Sequence, residues 1–327
     1  MKIGKLPENV LKRSVLKQIH TKRGEVILGA AVGEDCAAVR LEEGEVFVLS
    51  TDPVTGTAED IGSLAVQVTL NDLASAGAEP VGVMLSVLLP ESVDEPQIRE
   101  MARQAEEACH AANVQIMGGH TEVTSAVTRP VITVTGVGKA KRDGLISTAG
   151  VRAGMDILLT KWAGLEGTAI LAKEKEKELL TRFSPGFVSQ AKEFDRLLSV
   201  LPEAKEAVRL GVAAMHDVTE GGIFGALWEM AESSGVGLEI DLKKIPVKQE
   251  TIEICEFFDI NPYGLISSGA MLMAAENGAK LMNGLKEAGI AAEVIGRATA
   301  GNDRVICNGE ERRFLEPPKS DELYKVV

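Results

Sequence analysis

The stretch from Ile61 to Ala78, IGSLAVQVTLNDLASAGA, constrains the fold of this chain most, because Asp72 is its only charged residue. A helix that is apolar on most sides is buried in a protein core. An unpartnered carboxylate in such a helix costs several kcal/mol or takes up a proton. The sequence leaves two interpretations of Asp72: a core acid held by backbone donors or an arginine, or part of a site that supplies positive charge.

The fold class follows from the length of the chain and the order of its elements. A chain of 327 residues is too long for one compact core, so two domains are expected. The stretch from Lys139 to Gly154 turns polar and glycine-containing, which predicts domains 1–150 and 151–327. Strands and helices interleave without a strict βαβ order, and this favours an α+β fold. The turn Glu42-Glu43-Gly44 predicts a hairpin between the strands CAAVRL and EVFVLSTD.

Charge and cysteine content exclude several classes of protein. The formal net charge of −13 argues against nucleic acid or an anionic membrane as the main partner. The N-terminus has no apolar signal-peptide core, and no apolar run is long enough to span a bilayer, so a cytoplasmic protein is expected. The cysteines form no CxxC pair, which predicts neither a zinc site nor a disulfide framework. Cys36 and Cys109 are predicted to be inert core thiols.

Five polar stretches place an acid beside a strand end, a glycine turn or an apolar helix. They are Gly33-Glu34-Asp35, Ser50-Thr51-Asp52, Asn71-Asp72, Gly118-Gly119-His120-Thr121-Glu122 and His216-Asp217-Val218-Thr219-Glu220-Gly221-Gly222. Singly, Asp35 and Asp52 are typical turn residues. If Asp35, Asp52 and Asp72 converge, they need positive charge, and Mg²⁺ prefers carboxylate oxygens.

The same stretches bear on nucleotide binding. The chain has no G-x-x-x-x-G-K-[ST] loop and no G-x-G-x-x-G fingerprint, so a nucleotide would bind through metal bridges and glycine-turn amides. The helix after Gly221-Gly222 is capped by Asp217 or Thr219, binds an anion at its N-terminus, or does both. His120 and His216 form a general acid/base pair only if folding brings them together.

The order of these motifs resembles the ATP-binding superfamily of aminoimidazole ribonucleotide synthetase. This superfamily also includes thiamine-monophosphate kinase, selenophosphate synthetase and the hydrogenase-maturation carbamoyl dehydratase. The resemblance covers nearly the whole chain, and the ordered set of motifs is specific where a single motif is not. It is greatest to the hydrogenase-maturation branch, through MHDVTEGGIFGALWEMAESSGVGLEIDLKKIPV and DINPYGLISSGAMLMAA.

The resemblance implies a two-domain PurM-like α+β fold, a homodimer whose N-terminal strands form a shared barrel, and a C-terminal α/β sandwich-like domain. It implies ATP and Mg²⁺ as cofactors, with Asp72, Asp217 and His120 as candidate catalytic residues. The metal ligands it implies are Asp35, Asp52 and Asp72, and the nucleotide-binding residues are Asn71, Gly118, Gly119, Thr121, Thr219, Gly221 and Gly222.

The chain departs from its relatives at several positions. The hydrogenase-maturation enzyme carries its substrate on a C-terminal cysteine, whereas this sequence ends Leu323-Tyr324-Lys325-Val326-Val327, so that tail chemistry is not expected here. His120 stands where several relatives have an acid, and Glu122 is the candidate substitute ligand. The stretch Ser267-Ser268-Gly269 stands where the hydrogenase branch has an acid near a strand of the second domain.

The resulting hypothesis is an enzyme that uses ATP to phosphorylate an oxygen, of amide type or similar, on an unknown small molecule or carrier protein. One alternative is a small-molecule kinase resembling thiamine-monophosphate kinase. Another, from a different class, is a catalytically silent nucleotide-binding scaffold of a maturation complex. The retained aspartates Asp35, Asp52 and Asp72 count against the scaffold, because a scaffold needs no metal cluster.

Overall fold

The chain forms two compact units. The structure, a computed structural model, describes residues 3–31, 36–55, 60–317 and 320–327. One unit comprises Met1–Ala74 and Ala78–Leu145, and the other comprises Ser75–Gly77 and Ile146–Val327. The contacts therefore divide the chain at Leu145, whereas the sequence places the boundary after residue 150.

The first unit combines a five-stranded sheet with two long helices. Its described helices are α1 (Glu8–Val10), α2 (Ile61–Ser75) and α3 (Glu95–Ala111), and its described strands are β1 (Gly4–Lys5), β2 (Val26–Leu28), β3 (Ala38–Val39), β4 (Glu45–Val54), β5 (Glu79–Leu89), β6 (Gln115–Val123) and β7 (Val131–Lys141). The sheet order is β1-β6-β5-β7-β4, with β5 and β6 parallel and the other neighbours antiparallel.

The predicted hairpin between CAAVRL and EVFVLSTD does not form. Strand β3 pairs with β2 in a separate two-stranded sheet, while β4 pairs along its whole length with β7. Only Ala38 and Val39 of the first predicted strand are extended in a ladder, so that segment cannot match the ten residues of β4. Strand β7 offers a full-length partner with strictly alternating burial.

Helix α2 is buried, as its composition predicts. Val66, Leu70 and Leu73 are at most 1% exposed, and Asn71 is equally buried. A Cβ added at Gly136 of β7 would lie 2.8 Å from Thr69, so the helix packs directly on the sheet. The small residues of α2 permit this close approach.

The opposite face of the first sheet is exposed at β4. Phe47 and Leu49 of β4 are 46% and 65% exposed on this face. Side chains alternate along a strand, so Val46 and Val48 point instead toward the helices. The sheet of one chain is an open layer among the described residues, and the barrel implied by the resemblance would require a second copy.

The second unit has a seven-stranded sheet between helices. Its strands are β8 (Asp156–Thr160), β9 (Ala214–Asp217), β10 (Gly237–Asp241), β11 (Met271–Ala275), β12 (Ala292–Thr299), β13 (Arg304–Asn308) and β14 (Glu311–Phe314), and its described helices are α4 (Leu165–Glu174), α5 (Glu176–Leu179), α6 (Pro185–Lys192), α7 (Leu201–Leu210), α8 (Gly222–Ser234), α9 (Gln249–Phe258) and α10 (Gly278–Glu287). The strand order is β14-β13-β10-β12-β8-β11-β9.

Helices cover both faces of this second sheet. Ile157 and Leu159 of β8 pack with Ile223 and Leu227 of α8 in one core. The neighbouring Asp156 lies on the opposite face, where it accepts a hydrogen bond from the first residue of α10. This arrangement, together with the first unit, confirms the predicted two-domain α+β architecture. Within the described part of the chain, no helix combines the length and apolarity needed to cross a membrane.

Candidate functional site

Two of the predicted acids of the first unit meet at one hydroxyl. Ser50 of β4 donates a hydrogen bond to Oδ2 of Asp72 in α2, and its Oγ lies 3.5 Å from Oδ2 of Asp52. Ser50 and Asp52 are two residues apart on a strand, so both point to the helix side of the sheet. The fold therefore brings Asp52 and Asp72 together around Ser50, and all three are only half-buried.

The donor set around Ser50 suits Mg²⁺ in its chemistry. Carboxylate and hydroxyl oxygens are hard ligands, and Mg²⁺ is bound in proteins by one or two carboxylates plus water or phosphate oxygens. The third predicted ligand, Asp35, lies outside the described residues, as do Gly33 and Glu34. Across residues 3–31, 36–55, 60–317 and 320–327, no group of three or more His, Cys, Asp or Glu side chains could hold a metal ion.

His120 lies on the other face of the same sheet. Thr51, next to Ser50 on β4, bonds through its hydroxyl to Thr135 at 3.0 Å. Thr135 and His120 line one cavity of about 550 Å³, and residues Lys5, Cys36 and Ser86 also reach it. His120 Nε2 lies 3.1 Å from Oε2 of Glu122. Within the first unit, the sheet therefore separates His120 from Asp72.

The glycine pair before His120 has unequal roles. A Cβ at Gly119 would lie 2.0 Å from the carbonyl oxygen of Leu85 on β5, and the φ angle of Gly119 is +148°. Only glycine fits a backbone position this close to its neighbour. At Gly118 the nearest atom to an added Cβ is Met84 Cε at 3.6 Å, so a side chain has room there. Both glycines and Thr121 line the cavity that contains His120.

In the second unit, the predicted motif runs from the end of β9 into α8. Asp217 is the last residue of β9 and is 6% exposed. Gly221 is the N-cap residue of α8, so neither Asp217 nor Thr219 occupies that position. Gly222 donates its N–H to the carbonyl of Thr219 at 3.1 Å. A Cβ at Gly222 would lie 2.6 Å from the Leu265 carbonyl oxygen, at a φ of +58°.

Each of the two predicted site histidines bonds to a glutamate of its own unit. His216 Nε2 lies 3.0 Å from Oε2 of Glu229 on α8, and His120 contacts Glu122 as described. The pairing of His120 with His216, left open by the sequence, therefore stays a prediction. His216 and Glu229 meet because β9 leads directly into α8, whereas His120 and Glu122 are two residues apart on β6.

Sequence reasoning missed two buried acids beside this motif. Asp321 accepts a hydrogen bond from the Gly221 N–H at 2.7 Å, although this amide was predicted to bind nucleotide. Glu166, the second residue of α4, is 4% exposed, and burial raises its pKa to about 7. Neither acid lies in a recognisable motif. The one sequence signal for Glu166 is its position directly after Gly164-Leu165, at the start of an apolar helix.

The prediction for the cysteines is half right. Cys109 of α3 is fully buried, and burial raises the pKa of its thiol far above the ordinary range. Cys36, by contrast, is exposed. The reason is local: β3 begins only at Ala38, so Cys36 precedes the strand that was expected to bury it.

Comparison with protein families gives two matches that together cover most of the chain. Residues 33–140 match the N-terminal domain of AIR synthase related protein, and residues 152–308 match its C-terminal domain. The matched ranges meet close to the boundary between the two compact units.

Individual relatives agree with the family match. A putative hydrogenase expression/formation protein of Methanocaldococcus jannaschii is 29% identical over 99% of this chain and 97% of its own length. The carbamoyl dehydratase HypE of Cupriavidus necator is 32% identical over 73% of this chain and 68% of its own length. A crystal structure of the hydrogenase maturation protein HypE in complex with ATP superposes with a TM-score of 0.83 at 21% identity, covering 98% of this chain and 97% of that one. These proteins share the fold of this chain.

Proposed function

Because the chain belongs to the AIR synthase related protein family, we propose that it is an enzyme that binds ATP and phosphorylates an oxygen atom of its substrate. The family relatives include a carbamoyl dehydratase, an enzyme whose name denotes removal of water from a carbamoyl group. A protein of the same fold has been crystallised with ATP. The substrate class is an amide-type or similar oxygen on a small molecule or a carrier protein.

One observation carries this proposal: the shared hydroxyl of Ser50 between Asp52 and Asp72. Two carboxylates that converge on one hydroxyl concentrate negative charge, which favours a bound cation. A protein with a formal charge of −13 can bind a polyanion such as ATP where divalent cations lie between them. A divalent cation bound at Asp52 and Asp72 would therefore offset the charge of the two carboxylates and that of the ATP phosphates.

We assign the cation to Asp52 and Asp72, with Asp35 as a third ligand. When bound, Mg²⁺ would neutralise charge on the phosphates of ATP. The protein itself orients the two carboxylates: β4 fixes Asp52, α2 fixes Asp72, and the Ser50 hydroxyl restricts the side chain of Asp72. Asn71 is buried next to Asp72, and its amide offers both a donor and an acceptor.

The roles of the remaining predicted residues belong to this proposal. His120, which contacts Glu122 and lines a cavity of about 550 Å³, keeps its predicted catalytic role as part of this proposal, although the sheet separates it from Asp72. Gly118, Gly119 and Thr121 shape the same cavity. In the second unit, Asp217 is assigned a catalytic role, and Thr219 and Gly222 hold the turn that follows it.

We further propose that a second copy of the chain covers the open face of the first sheet. Phe47 and Leu49 present exposed apolar surface on an edge strand that is otherwise well ordered by its pairing with β7. Apolar side chains grouped on one exposed face favour association. This homodimer accords with the barrel that the sequence resemblance implies.

Thermal unfolding with ATP or a non-hydrolysable analogue, with and without Mg²⁺, tests the nucleotide site. Ligand at about 100 times its dissociation constant stabilises a protein by roughly 2.7 kcal/mol. Wild type should be stabilised most when nucleotide and Mg²⁺ are present together, and Asp72→Asn should abolish the stabilisation by nucleotide. Asp143→Asn, an exposed acid of the same unit, should behave like wild type. A folded wild type that ignores the nucleotide under all conditions would overturn the proposal.

A further inference from the structure

The segment from Asp321 to Tyr324 is built into the second unit through backbone amides. Asp321 is 4% exposed, and its carboxylate accepts hydrogen bonds from three N–H groups: Gly221 at 2.7 Å, Leu323 at 2.8 Å and Ile266 at 3.2 Å. A carboxylate at the N-terminus of α8 also interacts favourably with the helix dipole. One side chain thus links the turn before α8, the loop after α9 and the C-terminal segment.

Neighbouring side chains hold the same three stretches together. Glu322 accepts a hydrogen bond from the Asn261 N–H at 3.1 Å. Tyr324 donates its hydroxyl proton to Glu220, and this bond raises the pKa of Tyr324 to about 12. Leu323 packs into the core of α4, α6 and α9. The segment is therefore fixed by apolar contacts while its polar groups reach the turn.

Glu166 lies beside this junction, and its Oε2 atom is buried without a hydrogen-bond partner. Burial raises its pKa to about 7, and the charges of Asp321 and Glu220 add to the rise. Ser268 lies close enough to the carboxyl group to offset part of this rise in pKa. Glu166 Oε2 and Ser268 Oγ are nevertheless each buried without a hydrogen-bond partner. When Glu166 is protonated, it adds no third negative charge next to Asp321 and Glu220.

We propose that the C-terminal segment is a positioning element: Asp321 fixes the Glu220-Gly221 turn that follows Asp217. The inference rests on the proposed function, in which Asp217 acts in the reaction. Asp321 is a positioning residue, because it acts through the Gly221 amide. Fixing the turn matters because small displacements of reacting groups reduce turnover strongly.

The test compares Asp321→Asn with Glu322→Gln. Both replace a carboxylate by an amide in the same segment, but only Asp321 contacts Gly221. Hydrogen exchange of a peptide covering residues 217–223 should be about tenfold faster in Asp321→Asn and unchanged in Glu322→Gln. The kcat for ATP turnover should fall about tenfold with KM within about twofold.

The outcomes separate this inference from the proposed function. Equal protection of the 217–223 peptide in Asp321→Asn and wild type would overturn the anchoring role. Faster exchange with unchanged kcat would overturn the role in positioning for the reaction. A wild type that never turns over ATP would overturn the proposed function and that role with it, while exchange still decides whether Asp321 holds the turn.

Glu166 is tested by pH. The groups that face it are Asp321, Glu220, Tyr324 and Ser268. Relative to intrinsic exchange, protection of the 217–223 peptide should fall as pH rises from 6 to 8 in wild type and stay constant in Glu166→Gln. Glu174→Gln, an exposed acid on the same helix, should keep the wild-type profile. A flat wild-type profile would contradict the role of the proton.

Discussion

Ser50 donates its hydroxyl proton to Asp72 across the gap between β4 and α2, so a strand and a helix are joined at the point where two acids converge. The neighbouring Thr51 makes a comparable bond to Thr135 on the other face. Two adjacent hydroxyls on one strand therefore serve two different environments, one rich in carboxylates and one not. This difference can be measured.

Ser50→Ala should lower the free energy of unfolding by about 1–3 kcal/mol at neutral pH, because a hydrogen bond to a charged group is lost. Saturating Mg²⁺ should reduce the loss, since a cation bound between Asp52 and Asp72 replaces the missing proton donor. Urea unfolding with and without Mg²⁺ measures both effects. Thr51→Val is the matched control: its free energy of unfolding should change little, and Mg²⁺ should not alter that change. An equal response of the two variants to Mg²⁺ would exclude the metal site.

Glu166→Gln should remove a pH dependence of stability. The pKa of Glu166 is about 7 in the folded protein against an ordinary value of 4.5. Between these pH values the folded state binds more protons than the unfolded state, so stability falls as pH rises. From pH 4.5 to above 7, the unfolding free energy of wild type should fall relative to that of Glu166→Gln by on the order of 3 kcal/mol. Glu174→Gln should show no such shift.

Gly119→Ala and Gly118→Ala should differ sharply in stability. The added methyl group at Gly119 would lie 2.0 Å from a carbonyl oxygen, and at Gly118 its nearest neighbour is 3.6 Å away. We expect a loss of about 3 kcal/mol or more for Gly119→Ala and less than about 1 kcal/mol for Gly118→Ala. Chemical denaturation of the two variants provides the comparison. Equal stabilities would mean that β6 does not approach β5 as described.

Leu49→Glu should disrupt the proposed dimer. A charge on an apolar interface must be desolvated, which should raise the dissociation constant at least about tenfold. Sedimentation equilibrium measures this directly. Leu145→Glu, at an exposed apolar residue of the same unit outside the sheet, is the control. A wild type that is monomeric at micromolar concentration, or a Leu49→Glu protein as dimeric as wild type, would refute the association.

The sequence predicted those parts of the fold that depend on local pattern. Helix α2 and its buried character follow from an apolar stretch with one charge. Asp52 and Asp72 were both identified, and a strand-end acid and a helical acid do converge. The sequence gives no separate signal for Ser50, whose hydroxyl joins the two acids, beyond its place in the stretch that ends at Asp52.

The parts that failed depend on contacts between distant segments. The partner of β4 could not be chosen from the sequence, because several later segments alternate well enough to pair with it. The face of the sheet that His120 occupies depends on the register shift between β5 and β6, where Met117 is an extra residue between the partners of Val83 and Met84. The importance of Asp321 arises from amides of Gly221 and Ile266, and nothing in an isolated Ser-Asp-Glu stretch indicates such partners.

The pairing of β4 with β7 has a consequence for how the chain folds during synthesis. Strand β4 is synthesised early, but its partner β7 begins only at Val131. The backbone donors and acceptors of β4 therefore stay unpaired until most of the unit has been synthesised. Pairing between segments distant in sequence is slow, and an unpaired edge strand invites association with other chains. Leu49 and Phe47 of that strand also expose apolar surface while β7 has yet to be made. Nascent chains stalled before Val131 should therefore be the species most prone to aggregate and most dependent on chaperones.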